Sequence, residues 1–111
     1  MTNSTITYPI GEKVIIRSVD SGVHYGTLAA VEGGDSGAKT VQLTDSRRLW
    51  RWKIAGTGIS LSEVAIAGID HAGSKITMVL PDIIVSGVCE IFPAYGMAIA
   101  TIEGAAVAEA E

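Results

Sequence analysis

Val23-His24-Tyr25-Gly26-Thr27-Leu28-Ala29-Ala30-Val31, the loop Gly33-Gly34-Asp35-Ser36-Gly37, and Thr40-Val41-Gln42-Leu43-Thr44 set the architecture of this chain. Two runs rich in β-branched residues flank a loop of glycines, which is the pattern of a β-hairpin. Upstream, Glu12-Lys13-Val14-Ile15-Ile16-Arg17-Ser18-Val19 reads as a first strand, followed by the turn cluster Asp20-Ser21-Gly22. Downstream, the third strand bends near Asp45-Ser46 and continues through Arg47 to Trp52. Ser60-Leu61-Ser62-Glu63 then has the S-x-x-E spacing of a capping box, opening a helix of about two turns that Gly68 stops. Asp70-His71-Ala72-Gly73-Ser74 reads as a loop. Lys75 to Leu80 reads as a fourth strand broken by Pro81, with Asp82–Val85 a short continuation, and Val88–Phe92 as a fifth ended by Pro93. Met97, Ile99, Ala100 and Ile102 recur at helical spacing near the end. The expectation is a mainly β (α+β) fold: a small antiparallel β-barrel or rolled sheet of about five strands, with one short inserted helix and a C-terminal helix. Residues 1–10 are expected to form a loose arm, 11–104 a single globular domain, and 105–111 a frayed Ala-rich tail.

The 111 residues are 48% apolar and only 18% charged, with mean hydropathy +0.38, which excludes a disordered chain. The apolar share is high for so small a domain. It implies that some surface is covered by a ligand or by another copy, so a homo-oligomer is expected. Eight basic against twelve acidic residues give −4, a balance that opposes double-stranded nucleic acid as a partner. Apolar runs such as Ile83-Ile84-Val85 and Ala105-Ala106-Val107 fall far short of a membrane span. Met1-Thr2-Asn3-Ser4-Thr5 carries no signal-peptide pattern, and the single Cys89, read as a small buried apolar residue, fits a reducing cytoplasm. Two histidines without a CxxC or HxxxH pattern argue against a metal site, and no cofactor is expected.

One constellation stands out. Arg47, Arg48, Arg51 and Lys53 hold half of all positive charge, and no acidic residue lies between Asp45 and Glu63. Residues 46–62 therefore carry +4, leaving −8 elsewhere, and both tryptophans, Trp50 and Trp52, fall in the same stretch. On an extended strand Arg48, Trp50 and Trp52 share one face, while Arg47, Leu49 and Arg51 share the other. An indole beside a guanidinium offers a flat stacking surface and a forked anion donor, which are the parts needed to hold a nucleotide. The same pairing is the commonest composition of a protein-interface hot spot, and tryptophans in small domains often serve as core. Gly26 inside a strand requires close approach by a backbone or a ligand. His24 and Tyr25, on opposite faces beside it, are an auxiliary donor and a stacking ring, with a hydrogen-bonded structural histidine as the alternative. Gly56-Thr57-Gly58 ahead of Ser60 offers amides to an anion but lacks the ending of a P-loop. The only adjacent acid–histidine pair is Asp70-His71, so catalysis is not expected.

Gly11-Glu12-Lys13-Val14-Ile15-Ile16-Arg17, Gly22-Val23-His24-Tyr25-Gly26-Thr27-Leu28, Arg47-Arg48-Leu49-Trp50-Arg51-Trp52 and Leu61-Ser62-Glu63-Val64-Ala65 together resemble a family of small uncharacterised proteins encoded by tailed bacteriophages. The similarity extends over about residues 11–103 and includes Glu90-Ile91-Phe92-Pro93. Arg51 stands where that family often has an aromatic, and Tyr25 where it has Phe. The resemblance implies a phage origin and the cytoplasm of an infected bacterium, and carries no activity. Together these readings lead to a non-catalytic small-ligand binder. It would be a sponge for a cyclic or ADP-ribose-derived immune signalling nucleotide, with Arg47, Arg48 and Arg51 on phosphates and Trp50, Trp52 and Tyr25 on bases. The alternative is a protein-interaction module, an inhibitor of a host protein or a minor virion component, that uses the same segment as its interface.

Overall fold

The computed structural model describes residues 6–33 and 38–109. Its elements are β1 (Lys13–Ser18), β2 (Gly22–Glu32), β3 (Lys39–Arg51), α1 (Leu61–Ala67), β4 (Lys75–Ile76), β5 (Leu80–Pro93) and α2 (Gly96–Glu103). A single 3-10 turn, His71–Gly73, is capped by the Asp70 carboxylate, which accepts from the Ala72 amide at 3.0 Å. All strand pairings are antiparallel. β2 bonds to β1 and β3, and β5 bonds to β1 and β3, so these four strands close a hydrogen-bonded ring with β4 appended to β3. The mainly antiparallel sheet of five strands, with one internal and one C-terminal helix, agrees with the sequence reading.

The ring buries both faces of β1, where Val14, Ile15 and Ile16 are fully inaccessible. Val14 and Ile16 join Leu28, Val41, Leu43, Val85 and Val88, drawn from all four ring strands. Ile15 joins Val23, Tyr25 and Leu49 in a second cluster covered by Leu61, Val64 and Ala65 of α1 and Ala98 and Ile102 of α2. Three consecutive apolar residues, Val14-Ile15-Ile16, suit this double burial.

A bulge divides β3 between the two clusters. Tyr25 faces Arg47 and Thr27 faces Thr44, so Asp45 and Ser46 together oppose Gly26. Asp45 takes φ +48°, the only non-glycine described with positive φ. One extra residue reverses which side chains face inward. Val41 and Leu43 point into the ring, but Arg47 and Leu49 point to the helices. The close approach at Gly26 is by backbone: a Cβ there would lie 3.0 Å from the Thr44 carbonyl and 3.2 Å from the Ser46 Cα. The bend expected at Asp45-Ser46 is thus present, and it determines which arginine is buried.

Other expectations shift. The fourth and fifth strands of the sequence reading are largely one, β5, which runs through Pro81 and turns at Gly87 with φ +69°. Only Lys75–Ile76 forms β4. Cys89 is exposed rather than buried, its Sγ donating to the Arg17 carbonyl. The capping box holds, since the Glu63 carboxylate accepts from the Ile59 and Ser60 amides at 3.2 Å each. These bonds hold its carboxyl below the usual range. The first turns of the tail are tied down where fraying was expected: the Ala108 amide donates to the Ile76 carbonyl, and Val107 bridges Ile76. At the other end, Tyr8 packs against the ring cluster. The loop reading at residues 34–37, and the outermost parts of the arm and tail, lie outside the described residues.

Candidate functional site

The bulge distributes the seven candidate residues over three environments. Tyr25 and Arg47, opposite each other in the β2–β3 register, face the helices and are 1% and 4% exposed. The Arg47 Nε donates to the Thr77 carbonyl at 2.7 Å. Its Nη1 donates to the carbonyls of Ile102 at 2.8 Å and Ala105 at 2.7 Å. The last carbonyls of a helix have no intrahelical partner and carry partial negative charge. Arg47 therefore caps α2 from the sheet and pins the following segment. Beside it the Tyr25 hydroxyl donates to the Glu103 carboxylate, which also pairs with the Lys13 Nζ at 3.5 Å. Burial, and then the bond to Glu103, push the Tyr25 hydroxyl well above its ordinary pKa. At these exposures Tyr25 offers no ring face to a base and Arg47 is engaged by main-chain carbonyls, contrary to the expected stacking and phosphate pairing. Both nonetheless border a cavity of about 290 Å³ with Lys13, Asp45, Val79 and Glu103.

Trp52 is half-buried and packs against the helix-side cluster. The register shifts between Leu49 and Arg51, and β3 ends there, so the alternation that would place Trp52 beside Trp50 no longer applies. It covers the edge of that cluster from the strand end.

His24, Arg48, Trp50 and Arg51 remain. His24 faces Arg48 across β2 and β3. The His24 ring is 3% exposed, with Nε2 at 2.9 Å from the Ser21 carbonyl. Burial lowers its pKa, opposed by the Ser21 bond and reinforced by the Arg48 charge. It is the hydrogen-bonded structural histidine of the alternative reading. The Arg48 guanidinium lies 5.2 Å from the Trp50 ring centroid. It also passes close to Gly22, where a Cβ would sit 3.4 Å from Nη2. Trp50 is 67% exposed, and Arg51 is exposed as well. Neither Arg48 nor Arg51 has an ion-pair partner among the described residues.

Next to this pair the ring opens into a pocket of about 210 Å³, lined by His24, Ser46, Arg48, Thr77, Met78, Leu80 and Ile83. Thr77 fixes its wall: its Oγ1 accepts from the Arg48 amide at 2.8 Å and its amide donates to the Arg48 carbonyl at 3.0 Å. Sequence reasoning missed Thr77, Met78, Leu80 and Ile83. Their signal was the run Met78-Val79-Leu80-Pro81-Asp82-Ile83-Ile84, apolar except at Asp82 and interrupted by a proline that marks an edge strand.

At Gly56-Thr57-Gly58 a protein carboxylate already lies where an anion was expected. A Cβ on Gly58 would collide with the Glu63 carboxylate, which takes the Ile59 and Ser60 amides. Among the described residues no three His, Cys, Asp or Glu side chains are placed to hold a metal ion, and no helix is long and apolar enough to cross a membrane.

The model of a domain of unknown function, DUF6948, matches residues 11–102. The chain belongs to this family. That span takes in all four ring strands, both helices up to Ile102, and every residue of the Arg48 pocket. No curated protein and no solved structure matches the chain.

Proposed function

We propose that this DUF6948 protein is a non-catalytic binding module. Its contact surface is the Arg48–Trp50 pair, Arg51 and the adjoining pocket, and its partner is a protein segment that offers an apolar side chain flanked by carboxylates. The observation that carries this reading is the pocket itself. At about 210 Å³ it is smaller than the roughly 300–1,000 Å³ of ordinary small-molecule sites. It suits one inserted side chain, with Met78, Leu80 and Ile83 as walls and a cation at the rim. An exposed tryptophan braced by an arginine, beside exposed Met78, matches the composition of interface hot spots. On the phage resemblance, the partner is a host protein to be inhibited or a component of the virion.

The nucleotide-sponge reading keeps Arg48, Arg51 and Trp50, while the Tyr25 hydroxyl, the Arg47 Nε and Nη1 and the His24 Nε2 are bonded within the protein. It is the competing outcome of one experiment. The intact chain is used to select from a random dodecapeptide library displayed on yeast, and in parallel is heated with cyclic mono-, di- and trinucleotides and ADP-ribose derivatives. The module reading expects enriched peptides with glutamate or aspartate around a large apolar residue. Arg48→Ala or Trp50→Ala should weaken their binding about tenfold or more, and nucleotides should give no stabilisation. A nucleotide at one hundred times its Kd should add about 2.7 kcal/mol of stability if the sponge reading holds, and that result, lost in Arg48→Ala, would reject the module.

A further inference from the structure

The ring is complete at only one end. β5 pairs with β1 through Val88–Pro93, and the last ties on that side are the Val19 amide to the Gly87 carbonyl at 3.0 Å and the Ser18 hydroxyl to the Ser86 carbonyl at 2.7 Å. Beyond Ser18 the chain leaves β1 and turns through Asp20-Ser21 into β2. The earlier half of β5 is bonded on one side only: Leu80, Asp82, Ile83, Ile84 and Val85 face Ser46, Thr44, Leu43, Gln42 and Val41 of β3. Among the described residues no strand pairs with its other side. Across that gap stands His24 of β2, and the pocket between them is the one described above.

We infer that the partner segment binds as an added β-strand along the open edge of β5 at Leu80–Val85, seating one apolar side chain in the His24–Arg48 pocket and a carboxylate against Arg48. This rests on the binding-module reading and supplies its geometry. Unpaired edge groups are a template for another strand, and a pocket beside such an edge reads alternate side chains of the incoming chain. The usual guards of an edge are weak here. Pro81 removes a single donor, and the Asp82 carboxylate is turned back onto the Gln42 side-chain amide at 3.0 and 3.1 Å. Leu80 and Ile84 on this segment are 43% and 68% exposed. The charge at the pocket selects the occupant. Arg48 lines the pocket and has no carboxylate partner among the described residues, in a chain of net charge −4, so an acidic segment fits better than a second copy pairing β5 with β5.

The test uses the intact chain and a dodecapeptide enriched in the selection above. Backbone amide exchange at Asp82–Val85 is followed with and without saturating peptide. The peptide is also made N-methylated at alternate residues, in each of the two possible phases. Strand addition predicts exchange slowed about tenfold or more at some of these amides. It also predicts a large loss of binding for one N-methylation phase and little for the other, because a strand turns only alternate amides to its neighbour. If the peptide depends on Arg48 and Trp50 yet leaves these amides unprotected and tolerates both phases, the surface binds peptides without strand addition and this inference falls while the module stands. If no peptide depending on Arg48 is enriched, both fall. Concentration-dependent protection of the same amides without peptide would assign the edge to a second copy and overturn the inference.

Discussion

Arg47 and Arg48 are neighbours in sequence, each paired across β2–β3 with an aromatic ring, Tyr25 and His24, yet their surroundings are opposite. Arg47 lies beneath α2 and donates to main-chain carbonyls from two stretches of the chain, Thr77 and, at and just past the end of α2, Ile102 and Ala105. Arg48 lies at the open end of the ring against a solvent-exposed indole. The bulge at Asp45-Ser46 made the assignment. Had β3 kept its phase from Val41 and Leu43, Arg47 would have pointed into the ring. Composition draws attention to a cationic stretch, but the backbone phase decides which cation supports the fold and which meets solvent.

The sharpest way to break this contrast is to remove the fork of Arg47 while keeping its charge. Arg47→Lys should cost about 2 kcal/mol in urea unfolding, because an ammonium cannot reach carbonyls on both α2 and the 77–79 segment, and buried acceptors are left unpaired. The bulge itself comes next. Gly26→Ala crowds the Thr44 carbonyl and Ser46 backbone and should cost about 1–3 kcal/mol, with Arg48-dependent peptide binding disturbed as well. Tyr25→Phe should cost about 1 kcal/mol at neutral pH by removing the bond to Glu103. The Tyr25 pKa is raised on folding, so its contribution is complete below the ordinary value near 10.0 and declines as pH rises above it. The parent should therefore lose its advantage over Tyr25→Phe in alkaline titrations of the urea midpoint. Smallest is His24. Its pKa is lowered on folding, so its contribution is present above the ordinary 6.5 and declines as pH falls below it. His24→Gln should flatten the fall in urea midpoint between neutral and mildly acid pH.

Much of the ring was legible because β-branched runs, Gly turns and the Ser60–Glu63 cap are local signals. β5 was not, since Pro81 and Gly87 read as strand breaks. In the structure they are tolerated because no strand among the described residues pairs with the second side of the segment's first half, and Gly87 supplies the positive φ. The Arg/Trp segment was found from charge and aromatic clustering alone. That alternation could sort Arg48 and Trp50 from Arg47 and Leu49, but not separate Trp52 from Trp50, because the strand ends between them. Nor could it foresee that α2 would come to rest with its last carbonyls over Arg47, a contact between residues 47 and 102 that no local pattern encodes.

Equilibrium urea unfolding of Arg47→Ala and Arg48→Ala beside the parent tests the account most directly. The account predicts a loss of about 3 kcal/mol or more for Arg47→Ala, which strands the carbonyls at the end of α2, and a change within about 1 kcal/mol for Arg48→Ala, a half-buried side chain stacked on an exposed indole. Equal losses for the two variants would contradict it.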